Sequence, residues 1–329
     1  MKYSNNANYL VPVILGISAL LFIAGIVRKY SARGKAPACP VVAVIPKGTA
    51  NLWWATVRQG AEAAAKESGA RIVWTGPEME TDREKQIQAV DDVLVKGVDA
   101  VVLGPNDFTA LARSVDKIAA SGVPCVIIDS PVDTDTYDAF AGTDNYSGGA
   151  EGARRLGSAL SGHGMVVIQQ FVQNSASTEE RARGFKETIA KEFPGITIAA
   201  EQYCLGTVED ARQRTTDMLA RLGKVDGIFA VNHPSSVGAF KALQTSGRAS
   251  EIKYVGFDSD PVLLDGIERG EVEALVVQNP FEIGFRGVKL AVAKLSGEEV
   301  AKENNVPSMM VDSSNLEEMK AKFPSALGL

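Results

Sequence analysis

Six short apolar runs in this 329-residue chain end at, or shortly before, a polar or ring-bearing side chain where a helical pattern begins. PCVIID stops at Asp129, GIFAVN at Asn232, IKYVGFD at Asp258 and ALVVQ at Gln278. VVAVIP is followed within a few residues by Asn51, Trp53 and Trp54, and MVVIQQF precedes a turn that leads to Arg181. Runs of this length without strict alternation suit strands buried on both faces, hence parallel sheets covered by helices. In an open parallel sheet, ligands bind outside the carboxyl ends of the strands, where helix N-termini converge. Carboxylates, amides, a guanidinium and indole rings gathered there match the donor, acceptor and stacking needs of a polyhydroxylated small molecule.

Strand and helix patterns alternate from residue 40 to about 306. Strands are expected at 41–46, 71–76, 100–105 and 124–129. Helices between them are closed by Gly69, Gly97 and Gly122, with Thr81 or Asp82 as a cap. After Phe140–Asp144 the pattern restarts, with strands at 165–171, 196–203, 227–232, 252–258 and 272–278. Helices fall at 146–160, 178–193, 208–222, 234–246, 261–269 and 281–296. These are too many units for one ordinary sheet, and single cores stop growing at roughly 250–300 residues. Two similar α/β lobes with parallel sheets are therefore expected.

Composition narrows the partners. The net charge is −6, and no basic run marks the folded part, which argues against nucleic acid. Cys39, Cys125 and Cys204 form no C-x-x-C pair, and only His163 and His233 accompany them, so neither a metal site nor a disulfide is expected. His233, next to Asn232, is expected on the cleft rim as a neutral side chain. The N-terminus differs in kind. Leu10 to Val27 is an uncharged segment of 18 residues, just long enough for an apolar membrane helix, and Arg28, Lys29, Arg33 and Lys35 follow. Ala36-Pro37-Ala38 then resembles a cleavage site before Cys39. A retained anchor, a long signal peptide and acylation at Cys39 all stay open for residues 1–39. Each implies export, with this segment meeting the membrane.

The ordered stretches VIPKGTANLWW (44–54), DREKQIQAVDDVLVKGVDAVVLGP (82–105), GVPCVIIDS (122–130), GTDNYSGG (142–149), SASTEERARGF (175–185), DGIFAVN (226–232), YVGFDSDP (254–261) and VVQNPFEIGFRGVK (276–289) carry a family likeness. From about 41 to 312 the chain resembles the periplasmic sugar-binding proteins of the type I fold, the ribose-binding-protein family. It is most similar to ABC-transporter substrate-binding members that begin with a VIPKGT…W segment. The resemblance implies two Rossmann-like lobes joined by a three-segment hinge, with crossings near Thr143–Asn145, Gln278–Pro280 and Asn305–Ser308. The lobes would be 40–143 plus 279–306 and 144–278 plus 307–329, closing on ligand by hinge bending.

Position by position, the resemblance makes Asn51, Trp53 and Trp54 the polar and ring contacts of a sugar, and Asp129 its hydroxyl acceptor. Ser130 stands where ribose binders often carry arginine, and no aromatic contact is found around Cys204–Thr207. Both departures point away from ribose. Arg181 would donate to ring or hydroxyl oxygens, and Asn232, Asp258 and Gln278 would complete the second lobe and hinge. Blander roles compete with these. Asp129 and Asp258 could be capping carboxylates, with Pro261 opening the helix after Asp258. Arg181 could be a solvated helix residue, and Trp53 a rim or core residue. Adjacent helix residues point about 100° apart, so the two indoles need not both face the cleft.

The resemblance implies a sugar ligand, an ABC permease and ATPase pair as partners, and the periplasm or the extracytoplasmic face of the inner membrane as location. No cofactor is implied. A glycosidase would need paired carboxylates about 5–9 Å apart, and no P-loop, GxSxG or HExxH motif is present. A lac-repressor-like effector domain would need an N-terminal helix-turn-helix where the apolar segment stands, and a sensor would act through a membrane signalling partner.

Overall fold

The computed structural model describes residues 38–329. The expected N-terminal apolar helix, and the membrane contact assigned to it, lie outside these residues. Among the described residues no helix is long and apolar enough to cross a membrane.

The first part of the chain runs β1 (Val41–Ile45), α1 (Leu52–Ser68), β2 (Arg71–Trp74), α2 (Arg83–Lys96), β3 (Ala100–Leu103), α3 (Ala112–Ala120), β4 (Cys125–Ile128) and β5 (Ala139–Gly142). The middle runs α4 (Asn145–Ala159), β6 (His163–Gln169), α5 (Ala176–Glu192), β7 (Gly195–Gln202), α6 (Val208–Leu222), β8 (Gly227–Ala230), α7 (His233–Thr245), β9 (Lys253–Phe257), α8 (Pro261–Glu268) and β10 (Ala274–Val277). It ends with α9 (Pro280–Leu295), β11 (Glu303–Asn305), β12 (Met309–Val311), α10 (Leu316–Lys322) and a 3-10 turn at Pro324–Leu327.

The strands form two six-stranded sheets, ordered β11-β5-β4-β3-β1-β2 and β12-β10-β9-β8-β6-β7. Every pairing in the first sheet is parallel. The second is parallel as expected except at its edge, where β12 runs antiparallel to β10. The chain passes between the sheets three times, from β5 into α4, from β10 into α9 and from β11 into β12. Asn305 Oδ1 accepts from the Asp144 backbone N–H at 3.1 Å, tying the first crossing to the third.

Both faces of each sheet are buried, because successive strand side chains point to opposite sides. In the first sheet Val42, Val44 and Val102 pack with Trp54 and Val57, while Ala43, Ile45 and Leu103 pack with Val90, Val93 and Leu111. The covering helices start where the sequence offers a side-chain acceptor. Asn51, Asp82, Asp144, Thr207, Asn232, Asp260 and Asn279 each cap a helix by accepting a backbone N–H. The cap of α8 is thus Asp260 and not Asp258: Asp260 directly precedes the helix and accepts from the Val262 N–H, while the Asp258 carboxyl accepts from the His233 N–H and Gln278 Nε2. In each lobe one helix pair makes backbone contact at glycine. A Cβ at Gly60 on α1 would sit 1.9 Å from Phe281 O on α9, and one at Gly149 on α4 would sit 1.9 Å from Arg181 O on α5.

Candidate functional site

The carboxyl ends of the two sheets face each other across a small cavity of about 30 Å³. From the first sheet, the segment after β1 supplies Lys47, Asn51, Trp53 and Trp54; the loop after β2 supplies Glu80, and the end of β4 supplies Asp129. From the second, the start of α5 supplies Ser177, Thr178 and Arg181, and the end of β8 supplies Asn232 and His233. Asp258 follows β9 and Gln278 follows β10. Eight of the nine expected residues therefore border one space. Ser130 does not: fully buried behind Asp129, its hydroxyl donates to Ser177 Oγ at 2.8 Å and accepts from Ser177 N at 3.3 Å.

Asp129 and Asp258 adopt the same left-handed conformation, each with φ 65°. Aspartate tolerates this region better than most residues, and the turn aims each carboxyl into the cleft. Their partners differ. Lys47 Nζ lies 2.6 Å from Asp129 Oδ2 and also donates to Ser177 Oγ at 3.0 Å, so one buried cation joins both lobes. Asp258 is held by neutral donors, the His233 backbone N–H at 3.0 Å and Gln278 Nε2 at 2.9 Å.

Arg181 is 2 % exposed, far from a solvated helix residue. Its Nε donates to Asn145 Oδ1 at 2.8 Å, its Nη1 to Val231 O at 2.9 Å, and its guanidinium lies 3.8 Å from the centre of the Phe257 ring. Burial pulls its pKa below the usual arginine value, and the negative charges of Asp258, Asp129 and Glu80 oppose that shift. Glu80 shows the opposite response. Burial raises its carboxyl above the ordinary range; Lys47 opposes this, Asp129 reinforces it, and the hydrogen bonds from Trp54 and Asn51 oppose it again. Those bonds, from Asn51 Nδ2 at 2.7 Å and Trp54 Nε1 at 3.0 Å, both end on Glu80 Oε1.

The two indoles meet edge to face, with centroids 4.8 Å apart and planes at 79°. Trp54 is 1 % exposed and its ring nitrogen is satisfied by Glu80, whereas Trp53 Nε1 is buried without a partner. Three further unpartnered buried atoms border the same space: Arg181 Nη2, His233 Nδ1 and Gln278 Oε1. His233 Nε2 is 3.0 Å from Asp260 Oδ2, so its ring is anchored on that side. Residues that carry unpartnered donors and acceptors thus line one space, which suits a ligand bearing several hydroxyls.

Sequence reasoning assigned no role to Lys47, Glu80, Ser177 or Thr178. Glu80 lies in the loop after β2, among charges that by composition describe a solvated loop. Lys47 directly follows the apolar run of β1.

Two hinge-compatible α/β lobes enclosing a polar cleft define a receptor for a small solute, and the comparisons give that class its family. A family description, "Periplasmic binding protein domain", matches residues 42–299, and the chain belongs to that family. The D-ribose/D-allose-binding protein of Pseudomonas aeruginosa is 30% identical over 270 residues, covering 80% of this chain and 84% of the relative. Among solved structures, a carbohydrate transporter solute-binding protein from Agrobacterium radiobacter in complex with D-arabinose superposes with a TM-score of 0.84 at 30% identity, covering 87% of this chain and 99% of that one. An ABC transporter solute-binding protein from Agrobacterium vitis with bound D-fucose gives 0.83 at 30% identity, covering 86% and 98%.

Proposed function

We propose that this protein is the solute-binding component of a sugar ABC importer, capturing a monosaccharide or related polyol between its lobes. One observation carries this: unpartnered Trp53 Nε1, Arg181 Nη2 and Gln278 Oε1 surround a cavity that also presents the Asp129 and Asp258 carboxylates. A desolvated sugar hydroxyl must both donate and accept, and a site built this way rejects analogues that leave its groups unpaired. The sugars in relatives' names and complexes support the same class.

The ligand groups are Asn51, Trp53, Trp54, Asp129, Arg181, Asn232, Asp258 and Gln278, joined by Lys47 and Glu80. Ser130 acts indirectly, through its hydrogen bond to Ser177. Residues 40–143 plus 279–306 close as one body against 144–278 plus 307–329, turning about the three crossings. The closed form docks on a permease and ATPase pair. It does so in the periplasm or on the extracytoplasmic face of the inner membrane, where the N-terminal segment delivers it as signal or anchor.

Binding occurs without turnover. Asp129 is committed to Lys47, and Glu80 Oε1 to two donors, so neither is poised on a glycosidic bond. Chromogenic glycosides should show no hydrolysis, and hydrolysis abolished by Asp129→Asn would overturn this assignment. The direct test is a thermal-shift panel of D-ribose, D-allose, D-arabinose, D-fucose and xylitol. A ligand at 100 times its dissociation constant adds about 2.7 kcal/mol of stability. A flat response to all monosaccharides and polyols would contradict the proposal.

A further inference from the structure

A second, larger cavity of about 440 Å³ adjoins the sugar cleft and also spans the two lobes. Glu80 is common to the walls of both. The first lobe contributes Asn106 and the second contributes Val172, Gln173, Tyr203 and Leu205. The loops that carry these residues are bonded to each other, since the Phe108 backbone N–H donates to Asn174 O at 2.9 Å.

Asn106 is the unusual member. It is 3 % exposed, yet neither its Oδ1 nor its Nδ2 has a hydrogen-bond partner. Buried amides left in this condition are rare and call for a ligand or water in contact. Its backbone is rigidly placed: Gln86, fully buried, accepts from Asn106 N at 2.9 Å while its Nε2 donates to Pro46 O and Gly104 O at 2.8 and 2.7 Å. The facing wall mixes apolar and aromatic surface. Leu205 is 65 % exposed, and the Tyr203 ring is half-buried with its hydroxyl donated to Glu179 at 3.0 Å. An amide with free donor and acceptor opposite an aromatic and two aliphatic side chains fits a second ring with one polar edge and one apolar face.

We infer that the cleft carries a second subsite, beyond Glu80, for the aglycone or second sugar of a glycoside. Asn106 pairs with its polar edge, and Tyr203, Val172 and Leu205 cover its apolar face. This rests on the sugar-binding reading above and extends its substrate class from free sugars to neutral glycosides.

Calorimetric titration tests it with the best-binding monosaccharide of the panel above and that sugar's methyl and phenyl β-glycosides. The phenyl glycoside should bind at least as tightly as the free sugar. Asn106→Ala, which removes unpaired atoms and leaves the Gln86 contacts intact, should weaken the glycoside about fivefold, as expected for one neutral hydrogen bond. It should change the free sugar less than about twofold on the same scale. Leu205→Arg, on an exposed side chain, should block the phenyl glycoside and spare the free sugar. Free-sugar binding with no glycoside binding, or glycoside binding indifferent to both variants, overturns the subsite alone. Binding of neither ligand overturns the sugar-binding reading with it.

Discussion

The two lobes reach the cleft with the same backbone and different electrostatics. Asp129 ends β4 and Asp258 ends β9, strands at matching places in two sheets of matching order, and both aspartates have φ 65°. Yet Asp129 is neutralised by Lys47 at 2.6 Å, while Asp258 is supported by a backbone N–H and an amide. Fold repetition fixes where an acceptor stands. The neighbouring side chains decide how much of its charge reaches the ligand.

Removing one partner of a buried ion pair leaves an uncompensated charge, so Lys47→Met should cost about 3–5 kcal/mol of folding stability in denaturant titration. Gln278→Met, which removes a neutral donor to Asp258, should cost only about 1–3 kcal/mol. Adding Asp129→Leu to Lys47→Met should restore most of the loss, and failure to do so would show that the lobes are not contrasted by charge pairing.

Ligand affinity sharpens the same contrast. Each hydrogen bond to a charged acceptor contributes about 1.5–3 kcal/mol. Asp258→Asn should therefore weaken the sugar by roughly 10- to 150-fold by calorimetry. Asp129→Asn should fall at the lower end of that range, because Lys47 already draws on its charge.

Gly60 and Gly149 test the similarity instead of the difference. Alanine at either position overlaps a facing backbone oxygen, and each should cost about 1–3 kcal/mol. A large cost in one lobe and none in the other would show that the helix pairs are not packed alike.

The smallest effect is expected at Glu80. Its carboxyl is raised in the folded protein above the ordinary 4.5, so the folded state binds the proton more tightly than the unfolded chain. The stability it contributes is full below 4.5 and is lost as pH rises through the raised value. Between those limits the Tm of the wild type should fall relative to that of Glu80→Gln. A constant difference would remove Glu80 from the electrostatics of the cleft.

Much of the fold was legible because strands buried on both faces read as unbroken apolar runs, and glycine or a capping side chain punctuates the helices. The short β5, β11 and β12 were not. AFAG, ENN and MMV are three or four residues long, and their pairing is decided by neighbours distant in sequence, including the antiparallel edge made by β12. In the site, a polar residue ending an apolar run stands out, and that pattern located Asp129, Asn232, Asp258 and Gln278. Glu80 lies among the charges of PEMETDRE, where composition alone describes a solvated loop. Ser130 was read by position beside Asp129; its hydroxyl lies on the same side, 3.2 Å from Asp129 Oδ2, but it is fully buried and taken up by Asp129 and Ser177.

A crystal structure of the protein grown with its tightest-binding sugar tests most directly whether both lobes hold one ligand. The sugar should lie in the cavity with hydroxyls within hydrogen-bonding distance of Asp129 from the first lobe and of Arg181 or Asp258 from the second. A sugar bound to one lobe alone, or outside this cavity, would contradict it.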